Sequence, residues 1–249
     1  MTTTSQITLQ LPVTRIALET PDTKTYRLDL GAHKPFPFLP GQFIILTAEL
    51  WNPKRNRAAP VNRAFSISSS PTDWDYLEVT AKRYQDGRIS AWLHDTVKVG
   101  DQVTVKGPAG KFVFNEGETD ELVLIAGGIG VAPFRSMIRY IIGKKLPVRV
   151  HLLYTARTPQ DFAYKTELDG IIQNHPNVTC LYSITRPSSD PQMDWSGRIG
   201  RVDEPLLRQH LKNPKALFYL CGPDVMIGEL ARLLKTIGVE EARIRFERW

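Results

Sequence analysis

Through the first half of the chain, apolar and polar positions alternate in short bursts separated by turn residues. The bursts run over Thr23–Leu30, Gln42–Ala48, Arg63–Ser69, Tyr76–Tyr84 and Gln102–Lys106, and this spacing predicts an antiparallel β-barrel. Helical periodicity appears once in this half, over Ile89–His94 directly after the turn pair Asp86-Gly87, and predicts one short helix covering the barrel. Past the polar stretch Asn115–Asp120 the pattern changes: apolar runs at Leu122–Ala126, Val148–Tyr154, Val178–Ile184, Ala216–Leu220 and Arg243–Phe246 alternate with amphipathic segments. The expected helices are Val131–Ile142, Asp161–Gln173, Glu204–Leu211 and Asp224–Ile237, with Val225, Met226, Leu230, Leu233, Leu234 and Ile237 on one core-facing stripe of the last. The expectation is an antiparallel β-barrel domain over residues 1–115, then an α/β domain with a five-stranded parallel sheet over residues 116–249. Arg186–Gly200 is the one long irregular stretch of the second half.

Composition narrows the class. A chain of 249 residues with 42% hydrophobic and 23% charged positions closes ordinary globular cores and suits two domains. The longest uncharged apolar run, Leu122–Phe134, is broken by three glycines and a proline and is too short for a membrane span. The first dozen residues show no basic segment followed by an apolar one, so no secretory signal is visible and a cytoplasmic protein is expected. Cys180 and Cys221 are the only cysteines, too few for a disulfide scaffold or for the four thiolates of an internal iron-sulfur cluster. The net charge of +6 admits a nucleic acid, an acidic protein or anionic small ligands. With no basic arm and no zinc-finger spacing, nucleic acid is the weakest of the three.

Two small-residue turns carry candidate chemistry in the second half. Ala126-Gly127-Gly128-Ile129-Gly130-Val131-Ala132-Pro133 follows an expected buried strand and opens a helix, a context in which backbone amides can cradle a pyrophosphate. Pro133 stands where the last glycine of a GxGxxG fingerprint would be, and no acidic residue ends Val148–Tyr154 to hold a ribose. A tight turn needing small residues and an N-terminal proline accounts for the segment equally well. Leu220-Cys221-Gly222-Pro223 is a second turn of the same kind, and in an open parallel sheet both turns face the crevice at the carboxyl ends of the strands. Cys221 by itself reads as a packed, inert thiol. In the first half, alternation sets Arg63, Phe65 and Ile67 on one side of a strand and Ser66 and Ser68 on the other. Gly87-Arg88-Ile89-Ser90 opens a helix whose N-terminus can take a phosphate, with Arg63 as counter-ion.

Taken in order, Pro40-Gly41-Gln42-Phe43, Arg63-Ala64-Phe65-Ser66-Ile67-Ser68-Ser69, Gly87-Arg88-Ile89-Ser90-Ala91-Trp92-Leu93, Gly100-Asp101, Gly107-Pro108-Ala109-Gly110, Gly128-Ile129-Gly130-Val131-Ala132-Pro133, Cys221-Gly222-Pro223 and Phe246-Glu247-Arg248-Trp249 resemble the ferredoxin-NADP reductase superfamily. The closest likeness is to the flavin and nicotinamide modules of oxygenase reductases without their iron-sulfur domain. The resemblance implies an FAD-binding barrel followed by an NADP-binding domain. By it, Arg63 with Ala64, and Ser90 with Gly87, Arg88 and Ile89, hold the FAD pyrophosphate. Phe65 stacks on the flavin and Ser66 lies near its reactive N5. Gly128, Gly130 and Pro133 line the nicotinamide-nucleotide crevice, and Cys221, with Gly222 and Pro223, and Glu247 sit beside the nicotinamide. The catalytic trio implied is Ser66, Cys221 and Glu247, with no metal.

The chain departs from the family at Phe65, where a tyrosine is usual, which removes a phenol hydrogen bond to the flavin. Trp249 resembles the terminal aromatic that covers the flavin in some members. Arg157, Arg186 and Arg198 resemble arginines that hold the 2'-phosphate and favour NADPH, although NADH-using relatives carry similar ones. The family's chemistry is hydride transfer from nicotinamide C4 to flavin N5, then single electrons to a separate carrier such as ferredoxin or flavodoxin. Lys54, Arg55, Arg57, Lys82 and Arg83 form a basic patch suited to an acidic carrier, or a solvated loop. Competing readings are a free flavin, ferric or haem-protein reductase, and a nucleotide-binding electron-transfer subunit inactive alone.

Overall fold

The computed structural model describes residues 6–53, 56–187, 195–213 and 215–248. The chain divides into two compact units, Met1–Val113 with Arg135–Tyr140, and Phe114–Phe134 with Ile141–Trp249.

The first unit is a six-stranded antiparallel sheet built from β1 (Ile7–Thr20), β2 (Thr23–Asp29), β3 (Phe43–Asn52), β4 (Arg57–Ser66), β5 (Tyr76–Lys82) and β6 (Gln102–Ala109), with helix α1 (Arg88–Asp95) between the last two. The strand order is β4-β3-β6-β1-β2-β5. The two edge strands meet just past the end of β4, through the bridge Ile67–Val79 and a 2.8 Å bond from the Ser68 amide to the Glu78 carbonyl. Leu11, Val13, Tyr26, Leu28, Ile44, Leu46, Ile67, Val79 and Val105 fill the interior, each aliphatic among them contributing ~1.5–3 kcal/mol by burial. Ile89 and Leu93 of α1, one helical turn apart, join the same core.

The alternation pattern missed β1. Pro12 interrupts it, and the structure shows why a proline is tolerated there. Residues Ile7–Pro12 pair with β6, whereas Val13–Thr20 pair with β2, and register slips between Val13 and Arg15. The strand thus changes partner beside the residue that lacks an amide hydrogen, and the slip breaks the period-two signal. β4 starts earlier than expected, at Arg57, and carries Pro60 as an edge strand can.

The second unit is a parallel sheet of β7 (Glu121–Gly127), β8 (Arg149–Ala156), β9 (Val178–Ile184), β10 (Arg198–Ile199), β11 (Leu217–Gly222) and β12 (Ile244–Arg248). Its helices are α2 (Val131–Gly143), α3 (Lys165–Asn174), α4 (Glu204–Arg208) and α5 (Asp224–Thr236). All five expected strands form. A sixth, the two-residue β10 inside the long loop, adds Arg198 and Ile199 against Ser183 and Ile184. The order β10-β9-β8-β7-β11-β12 reverses direction at β7, so the crevice between β7 and β11 is the topological switch point. Every residue of β7 is buried, which explains its unbroken apolar run.

Two helices begin or pack differently from the pattern. α3 starts at Lys165 because Thr158 and Asp161 form a capping box around a separate 3-10 turn and Tyr164 takes a left-handed φ of 60°. On α5, Val225 is 69% exposed and Ile227 is fully buried in its place, so the buried stripe is Ile227, Leu230 and Leu234. No helix among the described residues is long and apolar enough to cross a membrane.

Candidate functional site

In the first unit the candidate residues lie along the β3–β4 ladder, where Phe43 faces Ser66, Ile44 faces Phe65, Ile45 faces Ala64 and Leu46 faces Arg63. Residues directly opposite share a face, so Arg63 and Phe65 lie on the side of the buried Ile44 and Leu46. Phe65 is half-buried and packs against the barrel core. Arg63 is exposed, and its guanidinium has no hydrogen bond or ion pair among the described residues. Ser66 is half-buried.

The start of α1 is closely built. A Cβ on Gly87 would lie 2.2 Å from the Ser90 hydroxyl oxygen, which accepts a hydrogen bond from the Tyr84 amide at 3.3 Å and donates to the Gly87 carbonyl at 3.1 Å. Ser90 therefore uses its hydroxyl to brace the turn, and the amides of Arg88, Ile89 and Ser90 are left as the first-turn donors. Arg88 directs its guanidinium back to the carbonyls of Leu50 and Trp51, at 3.3 and 2.8 Å. A run of unsatisfied helical amides and an unpartnered arginine on one small barrel suit a diphosphate.

Just beyond β4 the chain is fixed by a buried network that the sequence did not announce. Arg135 donates to the Ser68 carbonyl at 2.9 Å and to Glu78 Oε2 at 2.7 Å, and Ser136 donates to the Ser69 carbonyl at 2.6 Å. Arg27 donates to Glu78 Oε1 at 3.0 Å. Burial works to raise the Glu78 carboxyl, but the charge and hydrogen bonds of Arg135 and Arg27 outweigh it and hold the group below its usual value.

In the second unit the two small-residue turns meet. A Cβ on Gly130 would fall 2.1 Å from the Cys221 carbonyl oxygen, and one on Gly222 would fall 3.1 Å from the Gly127 backbone. Only glycines allow this approach. Gly128, with φ of 54°, has open space on the side where a Cβ would project, leaving a cradle at the head of α2. Pro133 is buried in the first turn of that helix. Cys221 is buried and lies opposite Glu247 across the parallel pair β11–β12, followed by Gly222 opposite Arg248. Pro223 caps α5.

Two further residues belong to this crevice. Met226 sits over Gly127 and Gly222, and the buried Thr155 donates to the Ala126 carbonyl at 3.0 Å with its hydroxyl 3.7 Å from the Met226 sulfur. A threonine closing an otherwise apolar strand was the available signal for Thr155. Met226 was hidden inside the helical stripe.

The arginines separate into two kinds. Arg157 and Arg186 end neighbouring strands, joined by a 2.9 Å backbone bond from the Arg186 amide to the Arg157 carbonyl. Both are exposed, with no side-chain partner among the described residues. Arg198 instead forms an ion pair with Asp203 and bonds to the Arg201 carbonyl. In the basic patch, Lys82 is paired with Asp22 at 2.7 Å and Arg83 with Asp95 at 2.7 Å. Arg57 is exposed without a side-chain partner among the described residues. Lys54, Arg55 and Trp249 lie outside the described residues.

Two family models match the chain in succession. Residues 10–114 match the oxidoreductase FAD-binding domain and residues 124–232 the oxidoreductase NAD-binding domain. The glycine betaine monooxygenase reductase subunit of Chromohalobacter salexigens is 30% identical over 91% of this chain and 60% of its own length. The chain thus spans less than two thirds of that relative. Among solved structures, the ferredoxin reductase in carbazole 1,9a-dioxygenase aligns with a TM-score of 0.82 at 27% identity, covering 99% of this chain and 70% of that one. The flavohem-like FAD/NAD-binding domain of nitric oxide dioxygenase from Vibrio cholerae O1 biovar El Tor aligns with a TM-score of 0.83 at 24% identity, covering 96% and 98%. With an FAD-binding and an NAD-binding oxidoreductase domain in succession on the expected barrel and parallel sheet, the chain belongs to the ferredoxin-NADP reductase-like family of flavin oxidoreductases.

Proposed function

We propose that this protein is a reductase that takes a hydride from NADPH, or from NADH, onto FAD and passes electrons to a separate acceptor protein. The observation that carries the reading is the convergence of Gly128–Gly130, Cys221 and Glu247 at the carboxyl end of the second sheet, where a dinucleotide is expected to bind. Bound FAD supplies the redox chemistry, accepting two electrons together and releasing them one at a time. The chain's residues position and stabilise. Arg63 and the amides of Arg88, Ile89 and Ser90 neutralise the FAD diphosphate, Ala64 and Phe65 support the flavin ring, and Ser66 offers a hydroxyl at the ring edge. Gly128 and Gly130 admit the nucleotide backbone, Pro133 holds the head of α2, and Gly222 and Pro223 shape the floor beside Cys221. Glu247 and Cys221 flank the nicotinamide and exclude water.

NADPH is the favoured donor because Arg157 and Arg186 present two guanidinium groups without carboxylates. The acceptor is a one-electron carrier, ferredoxin or flavodoxin, or the oxygenase component that such reductases serve. Among the described residues of the basic patch, Arg57 is the one left to attract it, since Lys82 and Arg83 already hold carboxylates.

The test is an anaerobic titration of the purified chain, followed by its visible spectrum. The reading requires a bound-flavin spectrum that bleaches at lower NADPH than NADH concentration, then recovers on adding oxidised ferredoxin or flavodoxin. Rapid reoxidation by ferric chelates or free flavin alone would favour the general reductase. A colourless chain that takes up no FAD would overturn the assignment and leave the nucleotide-binding subunit.

A further inference from the structure

The described residues include two methionines of very different access. Met137 is fully buried, whereas Met226, in the first turn of α5, is half-buried. Its thioether lies between the two glycine turns. The sulfur is 2.7 Å from the point where a Cβ on Gly127 would stand, and the terminal methyl is 2.6 Å from the corresponding point on Gly222. The same side chain packs against the apolar core below. One soft, partly exposed sulfur thus fills the gap between the two backbones that form the proposed coenzyme crevice.

Oxidation at this sulfur would disturb the meeting of the two turns. A sulfoxide converts a flexible apolar side chain into a polar one, and here the glycine side of the sulfur is already closed. The buried Thr155 hydroxyl is 3.7 Å from the sulfur but donates to the Ala126 carbonyl at 3.0 Å. The new oxygen must therefore either draw that hydroxyl away from the end of β7 or turn outward into the crevice. The cysteines compete poorly for an oxidant, because Cys221 is 1% exposed and burial pushes the Cys180 thiol up to about 12. A thiol reacts as its thiolate, whereas a thioether needs no deprotonation.

We propose that Met226 is an oxidation site through which hydrogen peroxide lowers the chain's affinity for its nicotinamide dinucleotide. In the step, a sulfur lone pair attacks one peroxide oxygen and the S–O bond forms as the O–O bond breaks. The electron pair of the broken bond leaves on hydroxide, and the proton of the transferred oxygen converts that hydroxide to water. The sulfur is oxidised by two electrons to the sulfoxide, and the peroxide is reduced. Reduced flavin that meets dioxygen in place of its acceptor makes hydrogen peroxide, so the site ties coenzyme entry to uncoupled turnover. This rests on the reductase reading above.

The experiment treats the purified full-length chain with hydrogen peroxide, locates added oxygen by peptide mass, and titrates treated and untreated chain with NADP+ and, separately, with FAD. An added oxygen is expected on the peptide carrying Met226 and none on Met137. Affinity for NADP+ is expected to fall roughly tenfold or more, the cost of a polar oxygen left without a donor, while FAD affinity is kept. Met226→Leu, whatever its own starting affinity, is expected to keep that affinity through the treatment. Met193→Leu is expected to lose it as the unmodified chain does. An unoxidised Met226, an oxidised Met226 that binds NADP+ as before, or a Met193→Leu chain that resists the treatment overturns the proposal. A parallel loss of FAD also overturns it, since the fold and not the crevice would then be failing. An untreated chain that binds no nicotinamide dinucleotide fails the reductase reading itself, before any oxidation is tested, and the proposal falls with it.

Discussion

The Cα of Gly130 lies so close to the carbonyl of Cys221 that a methyl group added to it would stand 2.1 Å from the oxygen. The turn that opens α2 and the end of β11 are therefore packed backbone to backbone, with no side chain between them. Gly130→Ala must push the two apart, at ~1–3 kcal/mol for a forced overpacking. Gly128→Ala meets open space but a φ of 54°, which costs ~1–2 kcal/mol for an L-residue. Chemical denaturation should rank Gly130→Ala as at least as destabilising, and nucleotide titration should show the larger loss of NADPH affinity there. Equal nucleotide affinity in Gly130→Ala and the unmodified chain would contradict the role given to the turn.

Coenzyme choice is expected to follow which arginines are free. Arg157→Ala and Arg186→Ala each remove an unpartnered guanidinium and should lower kcat/KM for NADPH by about tenfold or more, the worth of one charge-assisted bond of ~1.5–3 kcal/mol. NADH, lacking the phosphate, should change little. Arg198→Ala should alter the ratio less, because that side chain is already held by Asp203. Parallel steady-state kinetics with both nucleotides check this, and equal losses for the two would remove the phosphate role.

Acid should loosen the barrel through Glu78. Its carboxyl is held below the usual value in the folded chain, so the stabilisation is fully present above the unfolded value of ~4.3 and disappears as pH falls through the folded one. Glu78→Gln abolishes that dependence and leaves Arg135 buried without its carboxylate, a loss of ~3–5 kcal/mol. Unfolding curves between pH 3 and pH 7, on the order of the carboxylate range, should therefore converge for the two proteins toward the acid end.

The cysteines should behave as packing residues toward small reagents. Burial pushes the Cys180 thiol up to about 12, although the residue as a whole is half-buried, and Cys221 is 1% exposed. Since the thiolate is the reactive form, an aromatic disulfide reagent at neutral pH should label the native chain slowly and the denatured chain at once. Rapid labelling of native Cys180 would contradict the environment described.

Much of this architecture was legible because burial on one or both sheet faces writes a period of two or a continuous run. β7 is such a run, and all its residues are buried. β1 was not legible, because a strand that changes partner at Pro12 and slips register past Val13 has no single period to display. In the site, glycine turns announce themselves because close backbone approach admits no other residue. The Arg135–Glu78 bond could not be found in the same way, since its partners are separated by 57 positions and each alone looks like a surface charge. The pairing of Arg198 with Asp203, only five positions on, was invisible for a different reason: a count of arginines does not say which are free.

The barrel's closure carries one more consequence. β4, which holds Arg63 and Phe65, has a continuous neighbour only in β3, and the barrel is shut on its other side at the Ile67–Val79 bridge. Such a line is a seam, and the strand proposed to grip the cofactor runs beside it. Backbone amides along Arg57–Ser66 are then the barrel's readiest to exchange with deuterium. Filling the site should slow them selectively, so that the tightness of the seam becomes a gauge of how much of the protein is loaded.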